Sequence, residues 1–553
     1  MSARTRQPPG LASAPEPRTG ASSTRPYGLA ALALLLLAQA FALARHATDV
    51  LPDDTLFYFF YVDNLAAGNG YRFNASEPPV CGASAPLWPP LLAAVKCLGL
   101  STEGAALATS WALTLASTAL LGLLLLRTSG PLGVLGLAAL LVPWQLHAAW
   151  AVSGMETPMT YLLIAGALAV ASGAGGWALT GTVAGACLVH KLDLAPLGLA
   201  LLAGSFRWRR PEALRALVLA AAIALAWYAY ATWLFGSPLP NSLRTKLEHT
   251  YGEVPRSWFA QTVFLRGAGA LRTVLALVGL LALRRRPFLL AVALTQILAP
   301  TAAFTWKVPN ETFWWYATPL TPVLGLLAAA GLAFLLRAQA EHVSRAQLAL
   351  AAVAIVPLGL LGWRQETPLR REMQEFLACC HGLLREAGRW VDRHTPPDAR
   401  VLTFWGNPAY YSRRFVYDAT FLNRPPEPDI FLHAPEVWIH SQFGRFDGLV
   451  PRRDYRLAQL FEASPPCAPF FAAVLVFDPR PGSAAQARPG RDPGRIERLR
   501  TLARDAGTPA FRRAQARIEQ RLQALGPRQR RAVVRGALER WPELAPLLPP
   551  PGT

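Results

Sequence analysis

Two adjacent carboxylates, Asp53 and Asp54, follow an uncharged apolar run at Tyr27–Ala44. They precede an aromatic segment in which Leu56, Phe57, Phe60, Tyr61 and Leu65 recur at helical spacing. Two carboxylates side by side at a partly desolvated membrane edge repel, which raises the pKa of one of them. A carboxylate tuned in this way suits a general base that takes a proton from an acceptor hydroxyl. Asp is also a good helix N-cap, so the pair reads as well as a cap on the juxtamembrane helix. That helix is expected to rest in the interface, aromatics toward the bilayer and Asp63-Asn64 toward water.

A transferred phosphate would need cations near the same surface. Candidates are Arg244 and Lys246 behind PLPNS, Lys307 ahead of FWWY, and His190-Lys191 between two short apolar runs. An ionisable residue inside a membrane segment is a functional candidate by default. His190, Lys191 and Asp193 also suit a self-neutralised cluster that joins two half-helices. Glu156, after Ser153-Gly154, fits either a helix N-terminus or an acceptor or metal contact. Asn241-Ser242 ends a Pro-interrupted turn, either as a loop-to-helix cap or with amides facing phosphate. Trp306, Trp314, Trp315 and Tyr316 read as an interfacial belt in preference to a sugar-stacking platform. Asp418 and Asn423 read as a surface loop in preference to the border of an acceptor groove.

The elements that must position these residues are mostly membrane spans. Of 553 residues 52% are hydrophobic and only 16% charged, where a soluble domain carries roughly 25% charged. This excludes the large soluble superfamilies. Apolar runs fall at 27–44, 103–126, 131–149, 157–171, 176–189, 192–205, 214–235, 264–283, 287–305, 317–336 and 346–363, about eleven spans. Those at 176–189 and 192–205 are short enough to be tilted, broken or re-entrant. With the arginines of the N-terminal tail in the cytoplasm, Arg127, Arg207-Trp208-Arg209-Arg210, Arg284-Arg285-Arg286 and Arg337 fall on the same side. Asp53-Asp54, Ser153–Glu156 and the 236–262 stretch then face outward.

Four regions follow: a disordered cytoplasmic tail (1–26), a multi-span domain (27–365) with its first outer loop at 46–102, an extracytoplasmic α/β unit (366–480) and an Arg-rich helical segment (481–553). In the α/β unit a helix in EAGRWVDRHT leads to a strand in ARVLTFWG, and FFAAVLVFDP reads as another buried strand. The net charge is +20, and from Arg480 onward there are sixteen Arg, no Lys and six acids. Beside so many spans, a membrane surface or an anionic ligand fits that charge better than nucleic acid, which is not an expected partner. The tail reads as solvated amphipathic helices, with docking on anionic lipid or polymer as the alternative. Six Cys make neither a disulfide scaffold nor a zinc site; Cys379 and Cys380 read as unpaired in preference to a pairing with Cys467, which an extracytoplasmic position would allow.

Four segments, in order along residues 28–440, resemble the GT-C glycosyltransferases, closest to the arabinofuranosyltransferase-like and related polyprenyl-phosphate-sugar enzymes. They are DDTLFYFFYVDNLAAGNGYRFN with GASAPLW, SGMETPM, FGSPLPNSLRTKL, and AGRWVDRHTPPDARVLTFWGNPAYYSRRFVYDATFL. The resemblance implies an all-α polytopic GT-C core in the plasma membrane with a small extracytoplasmic α/β domain. It also implies inverting transfer from a polyprenyl-phosphate sugar to a glycan, lipid or protein acceptor. It places the base on the first-loop aspartates, with Asp53 preferred and Asp54 as metal ligand or positioning group. Lys246, Arg244, Lys191, His190 and Lys307 are then expected to bind donor phosphate, and Glu156, Asn241, Asp63, Asn64 and Trp88 to bind substrate. His190-Lys191-Leu192-Asp193 stands where the family often has an Arg-Pro-Asp-like stretch. A divalent metal is compatible with this chemistry, although no ligand set specifies one. The rival reading is a non-catalytic transporter or scaffold for lipid-linked glycans. Transporters usually carry ionisable groups at the bilayer midplane and internal repeats, whereas the acids here gather at the outer ends.

Overall fold

The computed structural model describes residues 25–48, 50–206, 210–248, 257–266, 268–306, 314–337, 345–424, 433, 435–441, 455–462 and 471–477. The N-terminal tail before Arg25 and the Arg-rich segment 481–553 therefore lie outside the described residues, as does Cys467.

The chain opens with α1 (Arg25–His46), then α2 (Asp53–Ala66) and α3 (Trp88–Lys96) in the segment before α4 (Thr102–Leu140). The helix α4 breaks at Gly130 (φ 61°, ψ −166°), ahead of Pro131. The chain reverses there: Leu126 packs near Gly28 at one end of α1, whereas Gln145 accepts a hydrogen bond from His46 at the other (2.6 Å). This corresponds to the separate runs 103–126 and 131–149. Next come α5 (Gln145–Ala151), α6 (Thr157–Ala171), α7 (Trp177–His190), α8 (Ala195–Ser205), α9 (Arg210–Phe235), α10 (Asn241–Glu248), α11 (Ser257–Ala260), α12 (Gly269–Ala282), α13 (Pro287–Trp306), α14 (Thr321–Arg337) and α15 (Arg345–Phe376).

Among the described residues five helices are long and apolar enough to cross a membrane, or six if the bent pair Ser257–Leu265 and Gly269–Ala282 is one span. Three shorter apolar helices lie at Thr157–Ala171, Trp177–His190 and Leu192–Ser205. On length and composition the helices do not reach eleven crossings, because α4 is counted once despite its reversal and the short helices fall below a full span. A helix of n residues is only about 1.5n Å long.

The C-terminal domain begins with α16 (Gly382–His394), followed by β1 (Arg400–Thr403), α17 (Gly406–Ser412), β2 (Phe415–Asp418), β3 (Val437–Ser441), β4 (Tyr455–Glu462) and β5 (Phe471–Phe477). The sheet order is β2-β1-β3-β5-β4. Strand β1 runs parallel to β2 and β3, and β5 runs antiparallel to β3 and β4. Leu384, Ala387 and Val391 of α16 pack on Val401, Val437, Ile439 and Val474 on one face of the sheet, while Leu402, Tyr417 and Trp438 form a second buried cluster. Cys379 is disulfide-bonded, contrary to the expectation of unpaired thiols, whereas Cys380 is a buried free thiol. Cys380 is buried within the core between α16 and the sheet, and the partly buried Cys379 packs against the same core.

Candidate active site

The helix α2 starts directly after Pro52 and carries Asp53 and Asp54 in its first turn, where neither side chain caps the helix. Both suit a helix N-terminus electrostatically, but they diverge by about 100° around the axis, as successive helical residues do. Asp53 is buried and accepts three hydrogen bonds: from Gly406 N–H (2.5 Å), from Asn407 N–H (2.8 Å) and from Asn407 Nδ2 (3.2 Å). Its carboxylate thus receives the N-terminus of α17 and docks the C-terminal domain on α2. Farther along this side of α2, Asp63 pairs with Lys96 (2.5 Å), accepts from Thr102 and accepts from Tyr410 Oη of α17 (2.8 Å).

Asp54 faces the other way. With Phe57, Tyr58 and Tyr61, spaced i, i+3, i+4 and i+7, it lines a cavity of about 340 Å³. Among the described residues nothing donates a hydrogen bond to its carboxylate. The cavity is closed by the 82–86 loop, Met155-Glu156, the break between α7 and α8, Trp227 and Tyr228 of α9, the start of α10, α13, Trp315-Tyr316, and Leu422-Asn423 from the C-terminal domain.

The polar groups in this cavity are arranged by helix ends. Glu156 is the N-cap residue of α6 but caps nothing. Instead its carboxylate accepts from Tyr58 Oη (3.0 Å) and pairs with Lys191 Nζ (2.9 Å). Lys191 occupies the break after α7, where the backbone turns extended (φ −156°, ψ 136°) before a 3-10 turn at Leu192–Leu194 and Pro196 at the start of α8. Asp193 stands 4.0 Å from the same ammonium, so Lys191 is shared between two carboxylates. The junction differs from the self-neutralised His190, Lys191 and Asp193 cluster read from the sequence: Glu156 joins it, and one ammonium faces two carboxylates. His190 is fully buried, with Nε2 3.3 Å from Thr160 Oγ1. Across the cavity, Lys246 of α10 donates to Tyr316 Oη (3.1 Å) and lies over its ring.

Burial raises both first-turn carboxyls to about 6. Around Asp54, Lys246 and His381 oppose that shift while Asp53 and Glu156 add to it; around Asp53 the Asn407 and Gly406 donors oppose it. Burial alone would raise Glu156 too, but the Lys191 ammonium outweighs it and holds this carboxyl down to about 2. Glu156 is therefore a fixed negative charge, whereas Asp54 titrates close to neutral pH and can exchange a proton.

Of the expected site residues, the cavity gathers Asp54, Glu156, Lys191 and Lys246. Others sit in internal contacts. Asn64 donates to the carbonyls of Arg72 and Phe73 (3.0 and 2.8 Å), and fully buried Trp88 donates to Gly154 O (3.0 Å). Asn241 donates to carbonyls of the C-terminal domain. Arg244 is exposed and donates to Asn241 Oδ1 (2.8 Å). Lys307 lies outside the described residues. Among the described residues no three His, Cys, Asp or Glu side chains converge as metal ligands. Sequence reasoning missed Tyr58 and Tyr228 in the lining. It read Asn423 as a surface loop in preference to the border of an acceptor groove, whereas Asn423 is buried and lines the cavity. The signal for Tyr58 was its place four residues after Asp54, on one helical face; nothing local marked Tyr228.

No family model matches the chain, and no curated protein sequence does. Solved structures do. ArnT from Cupriavidus metallidurans bound to undecaprenyl phosphate superposes with a TM-score of 0.56 at 13% identity, covering 82% of this chain and 98% of that one. The same protein in its apo state gives 0.56 at 15% identity with the same coverage. The chain thus shares the fold of that structure, a largely helical protein with several helices of membrane-span length and a small C-terminal sheet.

Proposed function

We propose that the protein is a membrane glycosyltransferase that moves a sugar from a polyprenyl-phosphate carrier to an acceptor hydroxyl with inversion, and that Asp54 is the general base. Asp54 lines the cavity beside Lys246 with its carboxylate open to a ligand, and this observation carries the reading. In the reaction the acceptor oxygen attacks the anomeric carbon as its proton passes to Asp54. The bond from that carbon to the phosphate oxygen breaks, and its electron pair leaves with the polyprenyl phosphate. The leaving phosphate gains one negative charge, which Lys246 is placed to offset. Lys191, already held by Glu156, keeps Tyr58 and Glu156 in a fixed arrangement. Asp53, saturated by three donors, is the docking residue and Asp54 the reacting one, in contrast to the preference for Asp53 from the sequence resemblance. The polyprenyl-phosphate lipid bound by ArnT and the membrane-length helices support the donor class. The disulfide at Cys379 supports an extracytoplasmic position for the C-terminal domain, because disulfides persist in oxidising compartments.

The experiment incubates purified, reconstituted protein with radiolabelled polyprenyl-phosphate sugars and a panel of acceptors. Transfer by wild type that is lost in Asp54→Asn and retained in Asp53→Asn is expected. Transfer surviving in Asp54→Asn removes the base assignment, and no transfer from any donor favours a transporter or scaffold.

A further inference from the structure

The roof of the cavity comes from a different domain than its walls, and Asn241 makes the most contacts that hold it. The segment after β2 turns back over α2, with Phe421 at φ 56°, a conformation that non-glycine residues adopt only when their surroundings impose it. Asn241, the first residue of α10, imposes it from outside. Its Nδ2 lies 2.8, 3.1 and 2.9 Å from the carbonyl oxygens of Phe421, Leu422 and Arg424. One turn on, Thr245 Oγ1 donates to Phe421 O (2.9 Å). From within, Asp418 accepts from the backbone and side chains of Thr420 and Asn423. Asn423 in turn accepts from Tyr61 Oη of α2 (3.0 Å).

The seat beneath this roof is shaped for it. The Asn241 backbone N–H donates to Cys81 O (2.7 Å), and the next residue is Gly82. A Cβ on Gly82 would stand 2.1 Å from Asn423 Oδ1 and 2.8 Å from Leu422 O, so only glycine lets the roof close down there. Cys81, whose carbonyl takes the Asn241 N–H, is itself only 4% exposed, and burial pushes its thiol up to about 12.

We infer that Asn241 is a positioning residue, not a substrate contact: it latches Phe421–Arg424 over the cavity and so keeps bulk water away from the reacting carbon. The second half of this inference rests on the transferase reading above. An open latch admits water in place of the acceptor. Water then attacks the anomeric carbon, its proton passes to Asp54, the bond to phosphate breaks, and free sugar and polyprenyl phosphate are released. Water exclusion of this kind is a general function of closed active sites.

Two measurements on the full-length protein, in a Cys97→Ser background, test it. The first maps by mass spectrometry how fast a water-soluble maleimide modifies Cys81. In Asn241→Ala and in Gly82→Ala we expect labelling at least about tenfold faster than with both residues intact, with buried Cys187 still unmodified. The second compares free sugar released with sugar transferred, using radiolabelled polyprenyl-phosphate sugars as donors, and the ratio is expected to rise about tenfold in both variants. Should Asn241→Ala also expose Cys187, it has unfolded, and Gly82→Ala decides. Unchanged labelling of Cys81 overturns the latch, and faster labelling with an unchanged hydrolysis ratio overturns its role in excluding water. If wild type acts on no donor while labelling still accelerates, the latch is supported and the transferase reading is what falls.

Discussion

The two faces of α2 each begin with a first-turn carboxylate and have opposite fates. One carries Asp53 and Asp63 and is closed: Gly406, Asn407, Tyr410, Lys96 and Thr102 satisfy its carboxylates, and the C-terminal domain covers it. The other carries Asp54, Phe57, Tyr58 and Tyr61 and is open onto the cavity. Both first-turn carboxyls are pushed up to about 6 by burial, yet only one is accessible to a ligand. A shifted pKa marks a desolvated carboxylate; access and missing donors decide whether that carboxylate reacts or holds two domains together.

The widest separation of the two faces is expected from the paired amides. Asp54→Asn should lower transfer by about 10²–10⁴-fold, the usual scale for losing a general base, with an unchanged unfolding temperature. Asp53→Asn should instead lower stability by about 1–3 kcal/mol, because a buried N–H at the start of α17 loses its acceptor, and leave most of the transfer rate. The contrast is read by assaying transfer and thermal unfolding on the same preparations; equal losses of rate in both would erase it.

Next in size is Lys246→Met. Removing the cation opposite Asp54 should cost about 10²–10³-fold in transfer, as losing one preorganised electrostatic contact does. It should also raise the pH at which Asp54 ionises, since Lys246 opposes the upward shift. The pH profile of wild type is a finer probe. With Asp54 at about 6, the base form is depleted below that pH, and transfer should fall about tenfold per unit as the solution is acidified. Above pH 7 it should level off, and residual activity of Asp54→Asn should lack this acid limb. A rate independent of pH between 5 and 7 would place the base elsewhere. The smallest effect belongs to the closed face: Tyr410→Phe deletes one donor to Asp63, leaves two others, and should cost about 1–2 kcal/mol of stability with transfer intact.

Much of the architecture was legible because it depends on local pattern. Long uncharged runs became the helices, the Pro196 region became a break carrying Lys191 and Asp193, and the runs at RVLT and FAAVLVF became strands. The break at Gly130 was visible as a gap between two apolar runs. Other features were not legible. β3 and β4 are short or irregular in hydrophobicity, and their identity comes from pairing with β5. The reading of Asn241 as a substrate contact came from its neighbours in sequence, whereas its partners lie at 421–424, some 180 positions away.

By itself the sequence determined a polytopic helical membrane protein with a small C-terminal sheet, and an acidic pair at the start of an aromatic helix. Hydropathy, helical period and chain charge act over ten to twenty residues, so one segment at a time suffices to read them. Which aspartate lines the cavity was decided only by the tertiary structure. That choice depends on where α17, some 353 residues farther along, delivers its N–H groups, and no local pattern around Asp53 and Asp54 encodes the position of a distant helix end.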